Sequence, residues 1–416
     1  MRLRLCIAFS SIGQMSIFSS CTLAPPDPIL NMSVAFKKDP HPSKVDLGVG
    51  AYRDEQGKPL IFQAVKEAEL SIINDSRENH EYTTIEGLGD LKPLCLRVLF
   101  GSDIADSDVN RIVSSQSISG TGALRLAAEF IAIHCKKPRV YVSDPTWGNH
   151  NAIFEKAGLE VASYPYWDAV NKRVNIEAML AFLETVPEGS VVLVHACAHN
   201  PTGSDPAPEE TDRIVELVAR RKLIAVADSA YQGYASGDLD KDGYMVRCLL
   251  RSGAEFFITQ SFAKNMGLYG ERFGMIHIVT QDASVAEKVL SQLKLVVRPM
   301  YSSPPIHGAK IVVRVLSNPE LRAKWLSELK AVSERINQVR IDLAKGLEAN
   351  GCGDWSHVTR QIGMFSYTGL TVSQVERMIA KWHIYMLKNG RISLAGINAG
   401  NLAYVIEAFT DCVKNA

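Results

Sequence analysis

Apolar residues along this chain fall into two kinds of run. Short, nearly unbroken runs at Val191–Val194, Leu223–Ala227 and Phe256–Ile258 predict strands buried on both faces, as in a parallel sheet. Elsewhere apolar residues recur every three or four positions. The stretch Ala123 to Cys135 puts Leu124, Ala128, Ile131 and Cys135 on one helical face. Strand and helix patterns alternate up to about Val279, which is the signature of a doubly wound α/β domain. Asn318-Pro319 opens a long helix, with Asn as cap and Pro in the first turn. Leu321, Trp325, Leu329, Val332, Ile336, Val339, Leu343 and Leu347 mark its apolar face, and Asn350-Gly351 ends it. A short strand is predicted at Arg111 to Val113, with a helix starting near Ala123. Another lies in Lys44 to Tyr52, where the paired glycines of Gly48-Val49-Gly50 mark close backbone approach to a ligand.

A chain of 416 residues exceeds one compact core and predicts two lobes. The large one, mainly a parallel sheet, is expected over 59–317. A bridging helix and a smaller α+β lobe follow over 318–416, completed by an N-terminal arm and part of that lobe over 24–58. Residues 1–23 are expected to be an extension, targeting or disordered. Pro25-Pro26-Asp27-Pro28 cannot be helical throughout and reads as an arm reaching over a neighbour such as a partner subunit.

Composition narrows the function. Lys+Arg and Asp+Glu both number 45, so the net charge is zero, which disfavours a general nucleic-acid or anionic-membrane binder. No apolar run approaches the roughly 20 residues of a membrane span. The 8 cysteines show no CxxC or Cys/His ligand spacing, so they read as reduced thiols, with neither a metal site nor a disulfide scaffold. Met1 to Thr22 contains Arg2 and Arg4 and no acid. It reads either as a short mitochondrial transit peptide or as an extension ahead of a start at Met15, so the compartment is cytoplasmic or, with a transit peptide, mitochondrial.

Candidate chemistry sits where the apolar runs stop. His199-Asn200-Pro201, Asp228 and Ser261-Phe262-Ala263-Lys264 each follow one of the three predicted strands. Open α/β sheets bind ligands outside the carboxyl ends of their strands. A lone lysine is usually a solvated charge, and a lone aspartate after a strand is usually a cap. An amide, a carboxylate and an amine at three such exits instead suit a pyridoxal phosphate enzyme, with a lysine for the Schiff base and an acid for the pyridine nitrogen. Ser119-Gly120-Thr121-Gly122-Ala123 lies between a strand and a helix N-terminus, an arrangement that binds anions. It fails the dinucleotide fingerprint because Arg125 takes the third glycine position. Ser261 and Arg272 flank Lys264 and fit a phosphate monoester.

The segment Ser261-Phe262-Ala263-Lys264-Asn265-Met266-Gly267-Leu268-Tyr269-Gly270-Glu271-Arg272 resembles the lysine segment of aspartate aminotransferases, class I of pyridoxal phosphate fold type I. The resemblance extends in order through Gly48-Val49-Gly50, Ser119-Gly120-Thr121, Pro145-Thr146-Trp147, Ala198-His199-Asn200-Pro201, Asp228-Ser229-Ala230-Tyr231, Arg298 before Tyr301-Ser302, and Gly390-Arg391. It implies that Lys264 carries the cofactor and moves the substrate proton, while Asp228 pairs with the pyridine nitrogen. Asn200 and Tyr231 would bond the cofactor's phenolic oxygen, and Trp147 would stack on the ring. Ser119, Gly120, Thr121, Ser261 and Arg272 would hold the phosphate, with Tyr82, joined by Ser302, from a second subunit of a homodimer. Arg391 would grip the α-carboxylate of an amino acid or 2-oxo acid beside Gly50, with Trp147 and Asn200. Arg298 of the neighbour would bind the distal carboxylate of aspartate or glutamate. His195 and His150 are expected to support Asp228, and Phe365 to pack near the substrate carboxylate. Tyr367 and Thr83-Thr84-Ile85-Glu86 depart from the commonest family pattern and leave a broader aspartate/aromatic specificity open.

Overall fold

The structure, a computed structural model, describes residues 16–24 and 28–415. The targeting reading of the first residues and Pro25–Asp27 of the expected arm lie outside the described residues. Pro28 opens a helix that runs to Lys38.

Seven strands make the central sheet: β1 (Ile112–Ile118), β2 (Val140–Asp144), β3 (Val161–Pro165), β4 (Val191–His195), β5 (Ile224–Ser229), β6 (Phe256–Ser261) and β7 (Phe273–Val279). Their spatial order is β1-β7-β6-β5-β4-β2-β3, and only β7 runs against its neighbours. Alternate residues of a strand point to opposite faces, and here both faces are covered. Val192 and Val194 of β4 pack in one cluster with Ile214, Val218 and Leu249 from the helices Pro208–Arg220 and Tyr244–Arg251. Val191 and Leu193 pack in another, with Leu124, Ala128 and Ile131 of the Ser119–His134 helix and Leu293 and Val297 of the Ala283–Tyr301 helix. That double burial is why β4 and β5 read as unbroken apolar runs.

A third apolar cluster gathers the N-terminal segment, the long helix and the C-terminal residues. The long helix spans Pro319–Ala349, and Asn318 caps it by accepting from the Glu320 and Leu321 amides at 2.9 and 3.1 Å. It ties the molecule together at two further points. Trp325 Nε1 donates to the carbonyl of Asn265, next to Lys264, at 2.6 Å, and Glu328 accepts from the Gln63 and Ala64 amides. Around it, Val45–Asp46 pairs in parallel with Ile384–Tyr385, and Phe365–Tyr367 pairs antiparallel with Arg391–Ser393.

Several boundaries differ from the sequence expectation. β1 does not stop at Val113 but continues to Ile118, and the helix after it begins at Ser119 rather than near Ala123. In the Lys44–Tyr52 segment only Val45–Asp46 is strand. Asp228 and Ser261 lie inside the last turns of pairing of β5 and β6 rather than beyond them.

Candidate active site

One cavity opens at the carboxyl ends of β4, β5 and β6. Ser119, Gly120, Thr121, Trp147, Asn200, Asp228, Tyr231, Ser261, Lys264 and Arg272 all line it. Ten positions singled out in the sequence thus converge on one cleft, joined by His195, Leu124, Ala230, Ala263 and Tyr269.

At one end the strand β1 passes directly into the Ser119–His134 helix. Ser119 makes this turn with φ of 58°, the left-handed region that a side-chain-bearing residue rarely occupies. Its amide donates to the carbonyl of Arg272, itself at φ 51°, at 2.9 Å. Ser119 Oγ and Ser261 Oγ lie 3.3 Å apart, and a Cβ on Gly120 would come 3.1 Å from that of Ser261. Hydroxyls, the open amides of a 16-residue helix and a guanidinium therefore face one small volume, a donor set for an anion bearing several oxygens.

In the middle stands Asp228, buried on β5. His150 Nε2 donates to its Oδ2 at 3.2 Å, while Thr259 Oγ1, from the next strand, donates to Oδ1 at 2.9 Å. Thr146 Oγ1 meets His150 Nδ1 at 2.7 Å and so fixes which ring nitrogen faces the carboxylate. Burial pushes the Asp228 carboxyl up, but the His150 hydrogen bond and charge, then His195 and Thr259, outweigh it and hold the group below its ordinary value. His195 sits beside Asp228 in the strand register without bonding it. Burial drives His195 down to about 3, so this ring is neutral. Direct support of Asp228 thus comes from His150 and from Thr259, rather than mainly from His195. Thr259 was not singled out in the sequence, because a threonine within an apolar strand run carries no signal of which neighbour it faces.

Lys264 lies half-buried just past β6, its Nζ 5.1 Å from the centre of the Tyr231 ring. Burial lowers its pKa to about 8, against the opposing pull of Asp228 and with help from Arg272 and Arg391. Trp147, half-buried, stands edge-on to His150 with ring centres 5.2 Å apart. Tyr269, also not anticipated, lines the cleft and accepts from the Tyr52 amide at 3.1 Å.

The remaining end belongs to Arg391. It is 3% exposed, donates from Nη1 to Asn200 Oδ1 at 3.2 Å and from Nη2 to the Gly48 carbonyl at 2.6 Å. Its carbon centre lies 4.1 Å from the Phe365 ring centre. Its Nε has no hydrogen-bond partner among the described residues. Burial pulls the guanidinium down to about 10, so it remains a cation at neutral pH. Gly50 is placed against the same Phe365 ring, which a Cβ would meet at 2.9 Å.

Gly50 and Arg391 are not among the lining residues but adjoin them, Arg391 through its bond to Asn200, whereas two further predicted site residues stand apart. Tyr82 is 86% exposed, and Arg298 is exposed with its Nη1 bonded to Ser302 Oγ at 2.5 Å. Neither lines the cavity.

Pyridoxal phosphate needs anchors for a phosphate, a ring nitrogen and an aldehyde, and the cleft offers each in turn. The Ser119–Thr121 turn with Ser261 and Arg272 suits the first, the ionised Asp228 the second, and the Lys264 amine the third. No cluster of His, Cys, Asp and Glu among the described residues can hold a metal ion.

Comparison with known proteins agrees with this reading. The model of the family described as aminotransferase class I and II matches residues 42–409, and the chain belongs to that family. It is 47% identical to aspartate aminotransferase 1 of Medicago sativa over 394 residues, 94% of each chain. Its fold superposes on the aspartate aminotransferase from Saccharomyces cerevisiae cytoplasm with a TM-score of 0.93 and 42% identity, covering 96% of this chain and 98% of that one. It also superposes on an aromatic-amino-acid aminotransferase from Burkholderia pseudomallei covalently bound to pyridoxal phosphate, with a TM-score of 0.93 and 41% identity, covering 96% and 100%. Relatives include cytoplasmic, mitochondrial and chloroplastic forms.

Proposed function

We propose that this protein is an aspartate aminotransferase: with pyridoxal phosphate it exchanges the amino group of L-aspartate with the oxo group of 2-oxoglutarate, giving oxaloacetate and L-glutamate. The observation that carries this reading is a low-pKa amine, Lys264, in one cleft with an ionised Asp228, and beside them a buried guanidinium, Arg391, that bonds Asn200 of the same cleft and whose Nε has no partner among the described residues.

Bound pyridoxal phosphate supplies an electron sink for the pair left at the substrate's α-carbon when its proton departs. Each surrounding side chain has its own task. Ser119, Gly120, Thr121, Ser261 and Arg272 bind the phosphate. Asp228, kept charged by His150 and Thr259, holds the proton on the ring nitrogen. Asn200 and Tyr231 reach the phenolic oxygen, and Trp147 covers the ring. Arg391 takes the α-carboxylate as a two-pronged clamp, with the backbone at Gly50 beside it. That clamp directs the α-carbon's proton toward Lys264 Nζ. An amine with pKa about 8 is partly neutral near neutral pH and can accept this proton and return it elsewhere.

We further propose a homodimer with shared sites, in which Arg298 and Tyr82 serve the cleft of the neighbouring subunit; their exposure on their own subunit supports this. Arg298 would take the distal carboxylate of the substrate. The lobes are best divided at 58/59 and 317/318, the second where Asn318 caps the long helix. Cysteines 95, 197, 248 and 412, buried and free, fit a reducing compartment such as the cytosol.

A donor panel with 2-oxoglutarate tests the specificity. Aspartate should exceed tyrosine, phenylalanine and alanine in kcat/KM. Removing one partner of a buried charge pair costs about 3–5 kcal/mol, so Arg298→Ala should lower kcat/KM for aspartate by roughly a hundredfold to a thousandfold or more. The loss for tyrosine should be about tenfold or less, because it has no distal charge. Arg391→Ala should depress every donor. An equal loss for all donors with Arg298→Ala would remove the dicarboxylate reading and favour the broader aspartate/aromatic one.

A further inference from the structure

The long helix carries a guanidinium that the reaction does not account for. Arg340 is 1% exposed and has no carboxylate partner among the described residues. Its Nη1 donates to the Val358 carbonyl at 3.0 Å, and its Nη2 to the carbonyls of Gly363 and Phe365 at 2.8 and 2.7 Å. Nε is buried without a partner among the described residues. Burial alone pulls this group down to about 9, which leaves it charged at neutral pH. An uncompensated buried charge is costly, and an apolar side chain of similar size would fill the same space without that cost. The three carbonyls explain what the charge is placed to do.

All three lie on one segment, residues 358–365, and that segment touches Arg391 by two routes. Phe365 is the ring 4.1 Å beneath the Arg391 guanidinium. The same segment is wedged against the loop that carries Asn200. The Ile362 amide donates to the Gly203 carbonyl at 2.7 Å, and a Cβ on Gly363 would come 2.4 Å from that of Ala198. Asn200 in turn accepts from Arg391 at 3.2 Å. We propose that Arg340 is a positioning residue for substrate binding: by drawing the Val358, Gly363 and Phe365 carbonyls onto one guanidinium, it sets the height of Phe365 and the Asn200 loop, and through them the orientation of Arg391 toward the α-carboxylate. Arg340 touches neither cofactor nor substrate. The inference rests on the assignment of Arg391 to the α-carboxylate.

Two substitutions separate positioning from simple stability. Arg340→Met keeps the volume and drops the donors, while Arg340→Lys keeps the charge but cannot reach three carbonyls in a planar fork. Both are assayed per cofactor-loaded site, counted from the cofactor's absorbance. Arg340→Met should raise KM for aspartate, glutamate and 2-oxoglutarate alike by about tenfold or more, with a much smaller change in kcat. Arg340→Lys should recover part of the effect. Calorimetric titration with succinate, a dicarboxylate that undergoes no turnover, should show the same loss of affinity. Phe365→Leu should reproduce the KM shift, and the Arg340→Met/Phe365→Leu pair should show less than the product of the two effects, since both act through one contact. Unchanged KM and unchanged succinate affinity in Arg340→Met, with only a lower Tm, would overturn the proposal, as would the failure of both Arg340 variants to fold and load cofactor. If Arg391→Ala also leaves KM unchanged, the α-carboxylate assignment has failed instead.

Discussion

Burial moves the Lys264 amine from an ordinary 10.5 down to about 8, and the nearby Asp228 charge resists that movement. The sign matters for the chemistry, because only the neutral amine attacks an aldehyde or accepts a proton. Cofactor-free protein should therefore combine with pyridoxal phosphate at a rate that climbs with pH and levels off with a midpoint near 8, followed by absorbance; a midpoint near 10.5 would mean Lys264 is solvated. At this scale the sequence is highly legible where a polar residue breaks an apolar run, as Lys264, Asp228 and Asn200 do. It is silent where the contact crosses strands. Thr259 donates to Asp228 and Arg340 holds three carbonyls, yet nothing local to either residue marks it.

Strands and helices were recoverable where burial and apolarity coincide, as in β4, and in the long helix with its Asn318 cap. β1 shows why others were not. Its Ser114, Ser115, Gln116 and Ser117 are all buried, but their polarity hides the strand. The sheet tolerates them because most of their polar atoms have partners: Ser114 Oγ meets His277 Nδ1 at 2.8 Å, and Gln116 Nε2 donates to the Pro305 carbonyl at 2.7 Å, while Gln116 Oε1 has none among the described residues. The exit of that strand depends on β7. A Cβ on Gly274 would lie 2.6 Å from the Gln260 carbonyl oxygen and 2.8 Å from Ser119 Cα, both backbone atoms that cannot rotate away. Gly274→Ala should cost about 1–3 kcal/mol of stability through overpacking. It should also push Ser119 off Ser261, weakening pyridoxal phosphate binding by about tenfold or more as read by equilibrium dialysis. Loss of stability with wild-type cofactor affinity would mean that the Ser119 turn does not bind the phosphate.

Across the whole molecule, residues far apart in sequence come together because the sheet and the long helix fix their ends. Arg391 reaches Asn200 and Gly48, and Trp325 braces the backbone beside Lys264. Chain length led to the expectation of two lobes and periodicity to that of a bridging helix; which distant residues meet depends on packing that no local pattern encodes, and the family resemblance was the guide to it. The same resemblance assigns Tyr82 and Arg298 to a neighbour's cleft. Mixing Lys264→Ala chains with Arg298→Ala chains and allowing subunit exchange should restore aspartate turnover, because half the sites in a mixed dimer would be whole. Exchange without recovery would make each subunit self-sufficient.

The central claim is that nitrogen passes from aspartate to an oxo acid in a cleft where Lys264 moves the substrate proton. Nitrogen-labelled L-aspartate incubated with 2-oxoglutarate and the cofactor-loaded protein should give labelled glutamate in step with oxaloacetate, one for one, and Lys264→Ala should give essentially none. Oxaloacetate without labelled glutamate, or label transfer undiminished in Lys264→Ala, would contradict the account.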